Sequence, residues 1–322
     1  MAALHETGDR PATVGRHNTE SFMLTSLLPH YTYRRLIVRL FFNWLRGKGS
    51  LAPRLRKNNF KNYVRFGRRS LECNVCEHKA RPFFDFPDLA LRQSHRIGEL
   101  RETLQCTCCG ATMRHRSLAK PFLEHIAQAV GSPMPTVKSA VGTGLGGLRI
   151  LDTDAYSPIS KLLRGESSYV VSSFRSDTAM NTLLGPNHHN VDLERMPFAD
   201  GSFDVLLTSD VMEHVRDIDA AHREIARVLA PGGQYIFTVP YDGVCPTHHV
   251  LVDVSGTEDR FLVPPQNHGD PITGGILAYR VFGQGIFADL ERVGLSARLL
   301  DLQDQSAMIE HGDVFVATKQ LA

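Results

Sequence analysis

Five of the six cysteines in this 322-residue chain fall between Cys73 and Cys109, and four of them form two pairs of equal spacing. Cys73 and Cys76 make the first Cys-x-x-Cys; Cys106 and Cys109 make the second, with Gly110 next. Two residues between thiolates let both sulfurs of a turn converge on one ion, and two such turns complete a four-sulfur shell. The pattern points to a structural zinc ion, because a closed four-ligand shell leaves no open position for catalysis. Cys108 is a surplus thiol that could replace a neighbour in the shell, and His78 and His115 are fallback ligands. The plainer alternative is a group of reduced, partly buried cysteines. The Arg114, His115, Arg116 triplet that follows reads as a solvated basic patch.

Clustered cysteines in a chain whose first 21 residues lack the basic-then-apolar order of a secretory signal read as metal ligands in a reducing compartment. The chain is therefore expected in the cytoplasm. Hydrophobic content of 42% and charged content of 22% are ordinary for a globular protein, and no apolar run reaches the ~20 residues that span a bilayer. The formal net charge is only +2, so overall charge makes no case for nucleic acid. Its distribution is uneven: residues 31–71 hold many Arg and Lys and no Asp or Glu.

The elements that must position this chemistry fall into four stretches. Residues 1–30 are expected to form a flexible N-terminus, poor in large apolar side chains over the first 21. Residues 31–70 form a basic region that opens on an amphipathic helix. Tyr33, Leu36, Ile37, Leu40, Phe41, Trp44 and Leu45 share one face of it, and Arg34, Arg35, Arg39 and Arg46 lie off that face. The helix either docks on the rest of the protein or makes peripheral contact with an anionic membrane. Contact with a nucleic-acid backbone ranks last, since no base-reading motif accompanies the basic run.

Residues 71–130 hold the cysteine module and a helix over 120–130, and a Pro/Gly/Ser-rich flexible linker covers 131–147. From 148 onward, strands at 148–152, 169–172, 203–208 and 234–239 alternate with helices, most clearly 217–229. A helix at 286–293 and strands at 297–302 and 314–318 close the chain. Such alternation predicts an α/β domain over 148–322, with parallel strands joined by crossover helices. Gly142, Gly144 and Gly147 spell G-x-G-x-x-G, but they precede a strand instead of following one and read as flexible.

The stretch 190–240 carries a resemblance. It runs Asp192-Leu193, Met196-Pro197-Phe198, then Gly201-Ser202-Phe203-Asp204-Val205-Leu206-Leu207-Thr208-Ser209. Val211-Met212-Glu213-His214-Val215 and a helix ending Arg227-Val228-Leu229 follow, and Pro231-Gly232-Gly233 opens a strand. This resembles class I S-adenosylmethionine-dependent methyltransferases of the type 11 group over about 148–319. The cysteine pairs with the following Gly and Arg-His-Arg look like a known companion of such domains. The resemblance implies a Rossmann-like, seven-stranded, mostly parallel sheet with helices on both faces, and S-adenosyl-L-methionine as cofactor. It places Asp192 and Leu193 at the adenine, Ser209 and Asp210 beside the methyl group, and Glu213 with His214 at the next helix start. Asp152, Asp154 and Ser173 stand at the ends of the first two strands, where the family holds the rest of the cofactor.

The sequence departs from the family there. The family's first loop is rich in glycine so that backbone can approach the cofactor, whereas Asp152, Thr153, Asp154, Ala155, Tyr156 and Ser157 contain none. Ser173 stands where the family has a ribose-binding acid. The implied reaction is methyl transfer to a hydroxyl of a small molecule or glycan. His214 is the first choice of base, with Asp210 and Glu213 behind it. The long 241–275 stretch is the expected acceptor lid. Its adjacent His248 and His249 point apart, which argues against a second metal. The rival reading is a degenerate scaffold of the same fold that binds a partner.

Overall fold

The structure, a computed structural model, describes residues 71–80, 84–85, 100–106, 108–268 and 275–321. The expected flexible N-terminus and basic amphipathic helix lie outside the described residues. Among those described, no helix is long and apolar enough to cross a membrane.

Helix α1, Met113–Val130, begins seven residues earlier than the expected 120–130. Thr112 caps it: its hydroxyl accepts from the backbone N–H of His115, and the His115 side chain accepts from the backbone N–H of Thr112. A His at this position in place of Glu or Gln hides the capping box from a sequence reading. Pro121 also misleads, because Pro favours the first turn of a helix and costs about 3 kcal/mol in its interior. Here it sits mid-helix, buried beside Leu118 and Phe122.

The strands that follow are β1 (Ile150–Asp152), β2 (Tyr169–Ser173), β3 (Leu183–Gly185), β4 (His188–Asn190), β5 (Phe203–Ser209), β6 (Leu229–Thr238), β7 (Leu295–Asp304) and β8 (Ile309–Lys319). They form one sheet in the order β7-β8-β6-β5-β1-β2-β4-β3. β6, β5, β1, β2 and β4 run parallel, with Asp152 beside Leu207 on β5 and Val171 on β2. β8 is antiparallel to both β6 and β7.

The α/β, mostly parallel architecture agrees with the expectation, but the strand number does not: there are eight strands, not seven. The extra one is β3, three residues paired antiparallel with β4. Leu183 on it is 68% exposed, so no buried alternation announces the strand.

Three further helices complete the layers: α2 (Pro158–Leu163), α3 (Ile218–Val228) and α4 (Gly285–Arg292). Alternate residues of the central strands serve opposite faces. Val205, Leu207, Ile236 and Val316 pack with Phe122 and Ile126 of α1 and Ile159 of α2. Leu206, Tyr235, Phe237 and Phe315 pack with Ile225 of α3 and Ile286 and Leu290 of α4. Cys73, Val75, Leu104 and Cys106 belong to the same buried cluster as α1 and the sheet, so the cysteine module and the sheet share one core.

The expected flexible linker is a packed connection. Its glycines serve tight turns, with positive φ at Gly142, Gly144, Gly146 and Gly147. Leu145 is fully buried, and a Cβ on Gly146 would stand 2.7 Å from Ala129. As expected, this glycine run precedes β1 and takes no part in the far edge of the sheet.

Candidate functional site

The two cysteine pairs fold into twin turns. Cys73 N–H donates to His78 O, and Glu77 N–H donates back to Cys73 O. Cys106 and Ala111, then Gly110 and Cys106, repeat the pattern at the same spacings. Glu77 and Gly110 hold the equivalent left-handed position. The four sulfurs lie within 4.8 Å of one another, with Cys73 to Cys109 at 3.9 Å and Cys76 to Cys106 at 3.7 Å. Four sulfurs at ~2.3 Å from one tetrahedral ion stand ~3.8 Å apart, so the donor set fits zinc. Among the described residues this is the one such cluster, and Cys108, His78 and His115 are outside it. The Cys108 backbone N–H instead donates to the Cys106 sulfur at 3.4 Å.

In an open parallel sheet, ligands bind outside the carboxyl ends of the strands, where the strand order reverses. Here the chain runs outward from β1 through β2 to β4, then crosses back to β5, so the crevice lies between β1 and β5. Asp152 ends β1 and Asp154 follows it, Ser173 ends β2, Asp192 and Leu193 follow β4, and Ser209 ends β5 with Asp210 next. The fold thus brings every expected cofactor residue to one edge.

Several of them are engaged within the protein. Asp152 accepts from the backbone N–H of Asp154 at 2.8 Å and from the Tyr169 hydroxyl. Burial, with the charge of Asp154 behind it, pushes the Asp152 carboxyl up to about 7. The Ser173 hydroxyl pairs with His188 Nε2 at 2.7 Å. Asp192 Oδ1 accepts from the Glu194 N–H at 2.9 Å, closing its own turn. That turn is tied to α3, where Arg227 donates to Met196 O and Phe198 O and Glu224 accepts from the Met196 N–H.

Asp210 is the most heavily bonded group at the edge. Arg101 donates to both its oxygens, at 2.6 and 2.7 Å, and Thr238 at the end of β6 donates to Oδ1 at 2.9 Å. Arg114 lies 3.5 Å from Asp210 and donates to Glu102 at 2.9 Å, to Ser209 O at 3.1 Å and to the Ser209 hydroxyl. Burial would raise the Asp210 carboxyl, but Arg101 and Arg114 outweigh it and hold the group well below the carboxylate range. Its φ of 51° is left-handed, a strained conformation that concentrates at functional edges.

The Arg114–His115–Arg116 triplet is therefore not a solvated patch. Arg116 is fully buried, His115 is 8% exposed, and the Arg114 side chain is 15% exposed. His115 Nε2 stands 3.6 Å from Asp154. Burial would raise Asp154, yet the bond from His115 and the nearby positive charge hold it down. Sequence reasoning missed Arg101 and Arg114 because their partners at 209–210 lie about a hundred residues away, and with them Glu102, which pairs with both arginines. The structure puts both arginines of the triplet, Arg114 and Arg116, in the first turn of α1, where cations are unfavourable without partners.

Glu213 and His214 sit on a 3₁₀ turn, Met212–His214, directly after Asp210. Glu213 is fully buried. His214 Nδ1 bonds the Leu277 carbonyl at 2.9 Å, and Nε2 is 3.7 Å from Glu213. Residues just beyond the expected 241–275 lid clasp this turn: Arg280 donates to Met212 O, Val215 O and Arg216 O, and the Tyr279 N–H to Glu213 O. His248 pairs with Asp289 and His249 with Asp242, so the adjacent histidines do point apart. A groove of about 530 Å³ lined by Asp219, Arg223, Arg227, Asp289, Arg292 and Lys319 lies on α3 and α4, away from this edge. We place the site at the strand ends because the convergent polar groups are there.

Residues 163–237 match the family model of a methyltransferase domain. A demethylmenaquinone methyltransferase of Mycolicibacterium paratuberculosis is 32% identical over 119 residues, 34% of this chain and 50% of that protein. A dimethylglycine N-methyltransferase of Parasynechococcus marenigrum is 38% identical over 58 residues, 17% of this chain and 21% of that one. The chain thus spans half or less of the length of these relatives. A solved S-adenosylmethionine-dependent methyltransferase from Mesorhizobium loti covers 53% of this chain and 90% of its own, at 15% identity and a TM-score of 0.35, a likeness too loose to argue from.

Proposed function

We propose that the chain is an S-adenosylmethionine-dependent methyltransferase acting on a hydroxyl of a small molecule or glycan, with zinc bound structurally by Cys73, Cys76, Cys106 and Cys109. The observation that carries the reading is the convergence of Asp152, Asp154, Asp192, Ser209 and Asp210 on the carboxyl edge around the β1/β5 crossover, in a chain whose residues 163–237 match a methyltransferase domain. The edge also fits the charge of the donor. In the cluster at the end of β5, three carboxylates, Glu102, Asp154 and Asp210, outnumber two guanidiniums, Arg101 and Arg114. Asp152 and Asp192 add further carboxyls to the edge, which suits a cation. When bound, S-adenosylmethionine supplies an electrophilic methyl group on a sulfonium.

Asp192 and Leu193 would hold the adenine, Ser173 the ribose side and Asp154 the amino-acid end, with Ser209 beside the methyl group. The rest of the work is orientation, since an in-line displacement gains most from alignment. His214 is the proton acceptor in this scheme. The bond from Nδ1–H to the Leu277 carbonyl fixes the ring. Asp210, pinned as a carboxylate by two arginines, serves charge placement and not proton transfer. These two relatives' names cite quinone and amine acceptors, an O-methyltransferase of Aspergillus nomiae is 32% identical over 108 residues, and within the structure the hydroxyl rests on His214. The rival, a degenerate scaffold, draws its support from the glycine-free loop and from Ser173.

The test is transfer of label from methyl-labelled S-adenosylmethionine into a small-molecule extract. Label should appear with the native chain. Once the acceptor is purified, His214→Ala should lower turnover by ~100-fold with cofactor affinity kept. Full turnover in that variant across the pH range would remove His214 from the mechanism.

A further inference from the structure

We infer that the Arg114–His115–Arg116 triplet makes metal occupancy of the cysteine centre a condition for the cofactor edge of the sheet to hold its shape; this rests on reading the four cysteines as a metal centre and the strand ends as the site. Three consecutive residues in the first turn of α1 reach three different places, because successive side chains point about 100° apart around a helix.

Arg116 reaches the metal centre. Its guanidinium donates to Ala111 O at 2.6 Å and Leu104 O at 3.1 Å, on either side of the Cys106–Cys109 turn. It also donates to Ala307 O and Met308 O, in the turn between β7 and β8. Its own carbonyl accepts from Asn74 Nδ2 at 2.7 Å, inside the Cys73–Cys76 turn. Both cysteine turns are therefore bonded to this one residue, and the first is also tied to the backbone N–H groups of Val137 and Lys138.

His115 reaches the first loop through Asp154, and Arg114 reaches the end of β5 through Ser209, Glu102 and Asp210. A second arm leaves from the other side of the same cysteine turn. Arg101 and Glu102 precede Cys106 by five and four residues, and Arg101 grips both oxygens of Asp210. The Cys106–Cys109 turn thus stands between two arms that close on one carboxylate. Four thiolates within 4.8 Å of one another need a cation between them, so loss of the ion releases the turn and both arms with it.

The test uses the full zinc-loaded chain and amide hydrogen exchange, which needs neither cofactor nor acceptor. Stripping the metal with a chelator should speed exchange in peptides over 207–213 and 152–157 by about tenfold or more. Peptides over 222–228 on α3 should change by less than about twofold, and added zinc should restore the native rates. Arg114→Lys and Glu102→Gln guard against global collapse: both should keep one zinc per chain and still speed exchange over 207–213. Three results would each overturn the inference. One is native protein that folds without metal. Another is stripped protein with native exchange at 207–213. The last is stripped protein loosened everywhere while Arg114→Lys exchanges like the native chain. Failure of the native chain to bind S-adenosylhomocysteine would instead count against the methyltransferase reading, so the two ideas fail separately.

Discussion

Asp152 and Asp210 leave the carboxyl ends of neighbouring parallel strands, β1 and β5, yet the protein treats them in opposite ways. Asp152 is 3% exposed and accepts only neutral donors, the Asp154 N–H and the Tyr169 hydroxyl, while the charge of Asp154 stands near. Burial there pushes its carboxyl up to about 7. Asp210 is gripped by Arg101 on both oxygens, with Arg114 close by, and stays ionised. The difference comes from what the cysteine module delivers: a guanidinium pair to β5, and only a neutral His115 to the loop after β1, since burial lowers that imidazole. Environments that push two like groups apart are how one site separates roles. Asp210 becomes fixed charge, and Asp152 a carboxyl that can change its protonation near neutral pH.

The largest effect should come from removing the Asp152 charge. The folded carboxyl holds its proton more tightly than the unfolded one. Its contribution is therefore complete below about pH 4 and is lost as pH rises through about 7. Asp152→Asn keeps the bond from the Asp154 N–H, requires the Tyr169 hydroxyl to turn and accept from the amide Nδ2–H, and abolishes that loss. Urea unfolding should give the variant an advantage that grows by up to about 4 kcal/mol between pH 4 and pH 8. Parallel pH profiles for the two proteins would show that Asp152 titrates as an ordinary carboxylate. Asp210→Asn should do the reverse, destabilising by about 3 kcal/mol at neutral pH because Arg101 and Arg114 lose their shared anion. A loss below about 1 kcal/mol would mean that the cluster is loosely solvated.

A smaller effect separates these from pH responses elsewhere. His222 on α3 is 1% exposed, its Nδ1 has no hydrogen-bond partner among the described residues, and burial lowers its imidazole to about 4. A depressed imidazole contributes stability above about pH 6.5 that is lost as pH falls toward 4, the opposite side from Asp152. Calorimetric unfolding of the native chain should lose about 2 kcal/mol from this source by pH 5, and His222→Leu should not show that loss. Equal acid-side losses in both would place the titrating group elsewhere.

How much of this could be read from residues alone depends on the range of the interactions. The strands at 203–208 and 234–239 were legible because apolar runs mark buried parallel strands. The helix at 217–229 was legible from its place between strands, and the structure adds its cap: the Asp217 side chain accepts from the Ala220 N–H at 2.9 Å. The paired cysteines were legible because their spacing encodes one turn each. The triplet at 114–116 was not, since a charge run looks the same whether its partners are water or Glu102, Asp154, Ser209 and Asp210. Nor was the 131–147 connection: glycines that build tight turns look like glycines that confer freedom. The choice of Cys109 over Cys108 needed the repeated turn hydrogen bonds. The roles of Asp152 and Asp192 came from resemblance, and their hydrogen-bond partners came only from the fold.

The central claim is that the carboxyl edge between β1 and β5 binds the donor although its first loop has no glycine. Isothermal titration of the zinc-loaded full chain with S-adenosylhomocysteine tests it most directly. The account predicts one site per chain with a dissociation constant of roughly micromolar order, about −8 kcal/mol. Asp192→Ala should weaken it several-fold, as loss of about 1 kcal/mol of hydrogen bonding implies. A folded, metal-loaded chain that releases no heat and gains no thermal stability at millimolar ligand would contradict the account and leave the scaffold reading in its place.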